Sequence, residues 1–330
     1  MKRGASGLSL VVAVNKPTGM SSHDVVNRCR RIFGERRVGH TGTLDPLAAG
    51  VLPICIGPAT RLDKYMVGHD KRYRVTMRFG FETTTDDMQG DVTVTGDVLD
   101  DLLDGEFADA YVAGLVGEHD QIPPQYSAIK VGGKKAYEVA RKGDSLKLEA
   151  RRIEVFESTL INRSYEDGAL YWTVDFSVSK GTYIRALVRD MGRELGCPAH
   201  VVALERRTAG SLTLDDCVSL ESLEALGVNA AIDPVRILGY RIAFAEQARM
   251  KVESGAKLSQ ENVRIFEINP ASHSLQDCCC TPTIFESETP LRENELVSVV
   301  IDNHLKAIYR FESGCLKPDC VFSTPISRGL

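Results

Sequence analysis

Gly39-His40-Thr41-Gly42-Thr43-Leu44-Asp45-Pro46-Leu47-Ala48-Ala49-Gly50-Val51-Leu52-Pro53 sets one acid among three glycines, where a polar loop meets an apolar run. Glycine tolerates backbone paths closed to other residues, so Gly39, Gly42 and Gly50 permit a tight course here. Pro46 disfavours helix at the residue before it and biases Asp45 toward an extended conformation. A carboxylate held at such a bend is well placed to face a cleft. An Asp-Pro turn is far more often a structural device, and these features alone do not make Asp45 catalytic.

Upstream, residues 8–14 form an apolar run that predicts a buried first strand. Lys2 and Arg3 precede it, as in a secretory leader. The run is short, however, lacks a small-x-small cleavage site, and leads straight into Asn15-Lys16-Pro17-Thr18-Gly19. Lys16 to Gly19 is a turn by composition. Ser22 is the expected N-cap of a helix through Phe33, because Val25, Val26, Cys29, Ile32 and Phe33 recur at helical spacing and Gly34 suits its end. Ser22-His23-Asp24 is then a capping sequence, since the members of a catalytic triad rarely adjoin in sequence.

Downstream, residues 51–56 predict a strand. Residues 71–81 alternate, with Tyr73, Val75, Met77, Phe79 and Phe81 on one face and Arg72, Arg74, Thr76 and Arg78 on the other. Residues 170–178 repeat the pattern through Leu170, Trp172, Val174, Phe176 and Val178. Lys180-Gly181 then turns the chain into a helix carrying Ile184, Leu187, Val188, Met191 and Leu195, closed by Gly196. Strands and helices without regular βαβ alternation predict an α+β fold with a mainly antiparallel mixed sheet flanked by helices. From Arg241 the texture changes: a short helix ends near Gly255, a loop spans 269–283, and residues 295–311 form two strands meeting at Asp302-Asn303-His304. The expected organisation is a larger domain over 1–240, a small β domain over 241–315 and a loose tail over 316–330.

The chain has 330 residues, 43% of them hydrophobic and 26% charged, which excludes a disordered protein. No window approaches the ~18 uninterrupted apolar residues a membrane helix needs. Nine cysteines raise the question of metal, but none forms a pair of C-x-x-C knuckles, and the adjacent Cys278, Cys279 and Cys280 cannot all turn toward one ion. Reduced thiols in a cytoplasmic protein, with no metal, are expected. The net charge of −5 opposes a polyanionic partner, yet the charge is uneven. Residues 86–109 hold nine acids and no Lys or Arg, 28–37 hold five arginines against Glu35, and 130–152 hold eight basic residues against three acids. A local basic surface of that kind can steer a nucleic acid, or can simply be a solvated face.

The glycine-rich stretch, as G-H-T-G-T-L-D-P, resembles the signature of the TruB-type tRNA pseudouridine synthases. So do Lys16-Pro17-Thr18-Gly19-Met20-Ser21-Ser22, Asp70-Lys71-Arg72-Tyr73, and Gln121-Ile122-Pro123-Pro124-Gln125-Tyr126-Ser127-Ala128-Ile129-Lys130, as do Gly181-Thr182-Tyr183-Ile184-Arg185 and Gly196-Cys197-Pro198-Ala199-His200. They run in family order across 12–210. The resemblance implies a pseudouridine-synthase fold with a small C-terminal β-barrel-like (PUA-like) RNA-binding domain. It implies Asp45 as nucleophile, attacking either the uracil ring or the ribose, with Arg185 pairing and orienting it. Tyr73 would stack on the target base, Tyr183 and Leu204 would wall the pocket, and His40 would occupy space beside the extruded nucleotide. Lys130 and the basic segment near 121–152 would follow the phosphates. Glu205 departs from the family's commoner L-R-R-T pattern. The implied substrate is uridine 55 in the T arm of tRNA, flipped from its stack at a cost of a few kcal/mol. No cofactor, no membrane and no obligatory protein partner are expected, and the chain is expected to be a monomer. Two rivals are a non-catalytic RNA-binding or tRNA-folding protein and a guide-RNA-dependent synthase subunit.

Overall fold

The computed structural model describes residues 6–268 and 284–329, so Cys278, Cys279, Cys280 and the loop expected at 269–283 lie outside the described residues. The chain divides into two compact units: Met1–Pro46 with Gly50–Gly68 and Ala209–Leu330, and Leu47–Ala49 with His69–Thr208. The boundary expected at 240 is therefore not where the chain divides. The N-terminal segment folds with the C-terminal third.

The cause lies in the first unit's core. The strands Leu10–Lys16 and Ala49–Ile56 pair antiparallel, from Leu10 opposite Ile56 to Lys16 opposite Gly50. Their side chains Val11, Ala13, Val51 and Cys55 share one apolar cluster with Leu238, Ile242, Ile308, Phe322 and Ile326 from the other end of the chain. Burial of apolar surface is indifferent to sequence separation, so two ends that are each too small to bury themselves close on one another. The C-terminal strands form a six-stranded sheet among the described residues, in the order Ile284–Glu286, Arg264–Ile268, Arg241–Phe244, Leu296–Ile301, His304–Glu312 and Cys315–Ser327. The expected hairpin is present. Asp302 and Asn303 take φ of 48° and 57°, the left-handed pair that a two-residue type I′ turn requires. One face of this sheet joins the cluster just described, and Ala243, Val297, Val299, Tyr309 and Leu316 form a second cluster. Burial on both faces explains why Leu296–Ile301 reads as an almost continuous apolar run.

The tail expected at 316–330 is corrected outright. Cys315–Ser327 is a thirteen-residue strand paired along the preceding one, with Leu316, Cys320, Phe322 and Ile326 buried. Pro318 and Pro325 suggested a loose end, but an outer strand tolerates proline where no ladder donor is needed. Asp319 on this strand accepts from Lys64 (2.5 Å), Tyr65 and Arg310 (3.1 Å). Burial pushes its carboxyl up, but those three donors outweigh burial and hold it down at about 2. A depressed folded-state value gives stability that is complete above the ordinary aspartate range of about 4 and lost as pH falls through 2. Urea melts at stepped pH should show that loss in the wild type and a smaller one in Asp319→Asn.

In the second unit the strands run in the order Ala199–Ala209, Lys71–Phe79, Ala169–Val178, Arg151–Glu166 and Gly117–Gln121. Tyr73 lies opposite Phe176, Val75 opposite Val174, and Met77 opposite Trp172, so the two alternating patterns meet on one buried face. The Phe79 and Trp172 rings pack edge to face at 4.8 Å. The first pattern stops at Phe79, two residues early. Gly80 turns the chain at φ 107°, and Phe81 leaves the sheet's face to stack on His200 at 4.3 Å. The helix Ile184–Glu194 matches its expected bounds, with Leu195 and Gly196 closing it. No helix among the described residues is long and apolar enough to cross a membrane.

Candidate active site

The loop bearing Asp45 is held from both sides. The N-cap of helix Ser22–Ile32 is Ser21, not Ser22: the Ser21 hydroxyl accepts from the Asp24 amide, and the Asp24 carboxylate accepts from the Ser21 amide. That frees the buried Ser22 hydroxyl for another task. It accepts from the Leu44 amide at 2.8 Å and donates to the Leu44 carbonyl at 2.9 Å. On the other side of Asp45, the Pro46 carbonyl accepts from Gly19 at 2.8 Å. Lys16 is fully buried, and its ammonium donates to the carbonyls of Pro17 and Met20 at 2.8 and 2.6 Å, which fixes the turn that presents Gly19. The Lys16-Pro17-Thr18-Gly19-Met20-Ser21-Ser22 motif thus cradles the two neighbours of Asp45. Gly42 and Gly50, at φ 126° and 105°, are where the glycine-rich path needs glycine. His40 ends the short strand Val38–His40, opposite Ile54.

Replacing Ser22 by alanine strands both polar groups of a buried residue, each worth about 1–3 kcal/mol when unsatisfied. Ser22→Ala should lower the unfolding midpoint and, by loosening the residue beside Asp45, cut turnover roughly ten- to hundredfold. Paired calorimetry and single-turnover assays check both effects.

The other candidates sit in the second unit. Tyr73 is buried on its strand and Leu204 on Ala199–Ala209. Tyr183 is the N-cap residue of helix Ile184–Glu194 and offers no side-chain cap of its own. Gln121 instead grips the Tyr183 backbone: its amide oxygen accepts from the Tyr183 amide at 2.9 Å, and its NH2 donates to the Tyr183 carbonyl at 3.1 Å.

Arg185 is only 4% exposed. Its guanidinium donates to the carbonyls of Thr85 (2.7 Å) and Tyr126 (3.0 Å) and lies 3.4 Å from the Asp87 carboxylate. One and two helical turns on, Arg189 meets Asp86 at 3.1 Å and Arg193 meets Glu82 at 2.7 Å. Burial pushes the Asp86 carboxyl up to about 6, against the pull of Arg189, Arg185 and Arg193. Three arginines at helical spacing, matched by three acids in 82–87, form a ladder that sets the guanidinium of Arg185 in place. Sequence reading missed Gln121, Asp86 and Asp87. The spacing of Arg185, Arg189 and Arg193 was the available signal, together with the acidic run that opens at Asp86.

Lys130 stands apart from these. It opens an exposed hairpin, Lys130–Val131 against Lys134–Lys135, turned by Gly132 and Gly133 at φ 57° and 83°. Lys134, Arg141, Lys142 and Lys147 are also exposed, so the segment presents its charge to solvent. Glu205 pairs with Arg207 at 3.1 Å along its own strand. Among the described residues no group of three His, Cys, Asp or Glu side chains could hold a metal ion.

Residues 30–184 match the model of the TruB family pseudouridylate synthase N-terminal domain, and residues 185–235 match that of the tRNA pseudouridylate synthase B C-terminal domain. A tRNA pseudouridine synthase B from Bacillus cytotoxicus is 44% identical over 260 residues, covering 76% of this chain and 84% of the relative. One from Mycobacterium sp. (strain KMS) is 48% identical over 215 residues, covering 64% and 71%. Among solved structures, a chain of an H/ACA RNP bound to a substrate RNA containing 2′-deoxyuridine shares the fold. It has a TM-score of 0.65 at 20% identity, covering 95% of this chain and 84% of that one. At 44% identity across most of a relative's length, the fold, the motif order and the family-model matches converge: the chain belongs to the TruB family of pseudouridylate synthases.

Proposed function

We propose that this chain is an isomerase that converts uridine 55 in the T arm of tRNA to pseudouridine, with Asp45 as the nucleophile. The observation that carries this is family membership at 44–48% identity to relatives named tRNA pseudouridine synthase B. The reaction breaks the bond between ribose C1′ and uracil N1 and forms one from C1′ to C5. The proton at C5 goes to solvent and N1 gains one, so atoms balance without water, redox equivalents or a cofactor.

A glycosidase needs a second carboxylate to manage water. An enzyme that keeps its detached base works with one nucleophilic carboxylate. In this proposal Arg185 orients that carboxylate, with Asp87 and the two carbonyls holding the guanidinium. Tyr73 stacks on the extruded base, Tyr183 and Leu204 exclude water, and His40 fills space beside the nucleotide. Lys130 and its exposed basic neighbours neutralise phosphates, which concentrates positive charge locally in a chain of net charge −5. The C-terminal β domain adds an RNA-binding surface. The protein acts in the cytoplasm as a monomer.

The test is release of tritium from tRNA labelled at uridine C5, using the full chain alone. Unaided, stoichiometric release at one position supports the proposal. Binding without release would leave the RNA-binding rival, and release only with an added guide RNA would leave the other.

A further inference from the structure

The segment 121–129 links Gln121 to the basic hairpin and is fastened at several points. Gln121 brackets the Tyr183 backbone, the Ile122 carbonyl accepts from Arg189 at 2.8 Å, and the Tyr126 carbonyl accepts from Arg185 at 3.0 Å. The Gln125 amide exchanges two hydrogen bonds with the Leu146 backbone, at 2.9 and 3.0 Å. The Ser127 and Ile129 carbonyls accept from Tyr137 and Ala136 at 3.1 and 2.8 Å. The Ser127 hydroxyl is the buried side-chain polar atom of this segment left without such a bond. Ser127 is 5% exposed, and its Oγ has no hydrogen-bond partner among the described residues. A buried hydroxyl without a partner destabilises a fold relative to alanine at the same place, so folding alone gives no reason for it. It lies one residue from the carbonyl that Arg185 holds.

We propose that Ser127 is a substrate contact, its hydroxyl hydrogen-bonding the polar edge of the extruded uridine. A serine hydroxyl both donates and accepts, which suits a uracil carbonyl, the imide N–H or a ribose hydroxyl. The rigid attachments of 121–126 to the start of helix Ile184–Glu194 keep that hydroxyl in register with Arg185 and Tyr183. This inference rests on the pseudouridine synthase reading and names a further residue for it.

The test compares wild type and Ser127→Ala by calorimetry, tRNA affinity and single-turnover tritium release. The expected result is an unchanged or raised Tm, little change in tRNA affinity, and a rate about tenfold lower, the loss of one hydrogen bond formed to the bound nucleotide. Ser127→Cys, which keeps a weaker donor, should fall between the two. Wild-type activity matched by Ser127→Ala overturns this contact alone, and a lowered Tm overturns it too, by showing that the hydroxyl has a structural partner. A wild-type chain that releases no tritium overturns the functional reading underneath.

Discussion

Asp45→Asn is expected to fold as the wild type does and to lose at least about 10⁴-fold in the rate of tritium release, the scale on which removing an enzymatic nucleophile acts. The two outcomes separate because of how the loop is built. Leu44 is clamped by the Ser22 hydroxyl and Pro46 by the Gly19 amide, and neither attachment uses the Asp45 side chain. Asparagine keeps the shape of the residue and replaces one carboxylate oxygen with an uncharged NH2. Unfolding midpoints measured beside single-turnover rates therefore distinguish a lost nucleophile from a broken loop. If Asp45→Asn retains a tenth of wild-type activity, Asp45 is a structural residue and the proposed chemistry has no nucleophile. If activity vanishes together with the unfolding transition, the carboxylate is holding the fold, and the lost rate reports lost structure rather than lost chemistry.

What could be read from the sequence was set by the range over which each feature is encoded. The strands Lys71–Phe79 and Ala169–Val178 announce themselves because one face is buried and the other is not, and period two survives in the residue types. Helix Ile184–Glu194 was legible through its apolar stripe, but its arginine face was not, because a face buried by ion pairing looks like a solvated one in a string of letters. The N-cap of the first helix was misplaced by one residue because Ser21 and Ser22 are both capping residues. Only the Leu44 contact, twenty-two residues away, distinguishes their tasks. The glycine-rich loop was recognisable as a special backbone path, whereas the cradle around it depends on carbonyls and amides that carry no sequence signal. Resemblance to a family supplied the proposed roles of Asp45, Tyr73 and Arg185, which spacing alone left undecided. The partition of the chain was the least legible feature, since Val11 and Phe322 meet through a core with no local signature.

That partition can be broken at one residue. Arg328 lies beyond the last strand, in what was expected to be loose chain, yet its side chain is only 4% exposed. Its guanidinium donates to both oxygens of the Asp233 carboxylate, at 2.6 to 3.1 Å, and to Asn303 at 2.9 Å. The Asp233 side chain is itself buried and caps the short helix Pro234–Leu238 through the Val235 amide. Arg328→Ala leaves that carboxylate without its cation in a low-dielectric site, a change that costs about 3–5 kcal/mol and is large against the roughly 5–15 kcal/mol that holds a domain together. Removing residues 316–330 also strips Leu316, Phe322 and Ile326 from the buried clusters, and the truncated chain should show no cooperative unfolding transition. Arg328→Ala is the sharper measurement, because it keeps the apolar strand and withdraws a single ion. Denaturant melts should place its midpoint well below the wild type's. A shift within the ±0.5 kcal/mol typical of surface substitutions would mean that the end of the chain does not close the first unit.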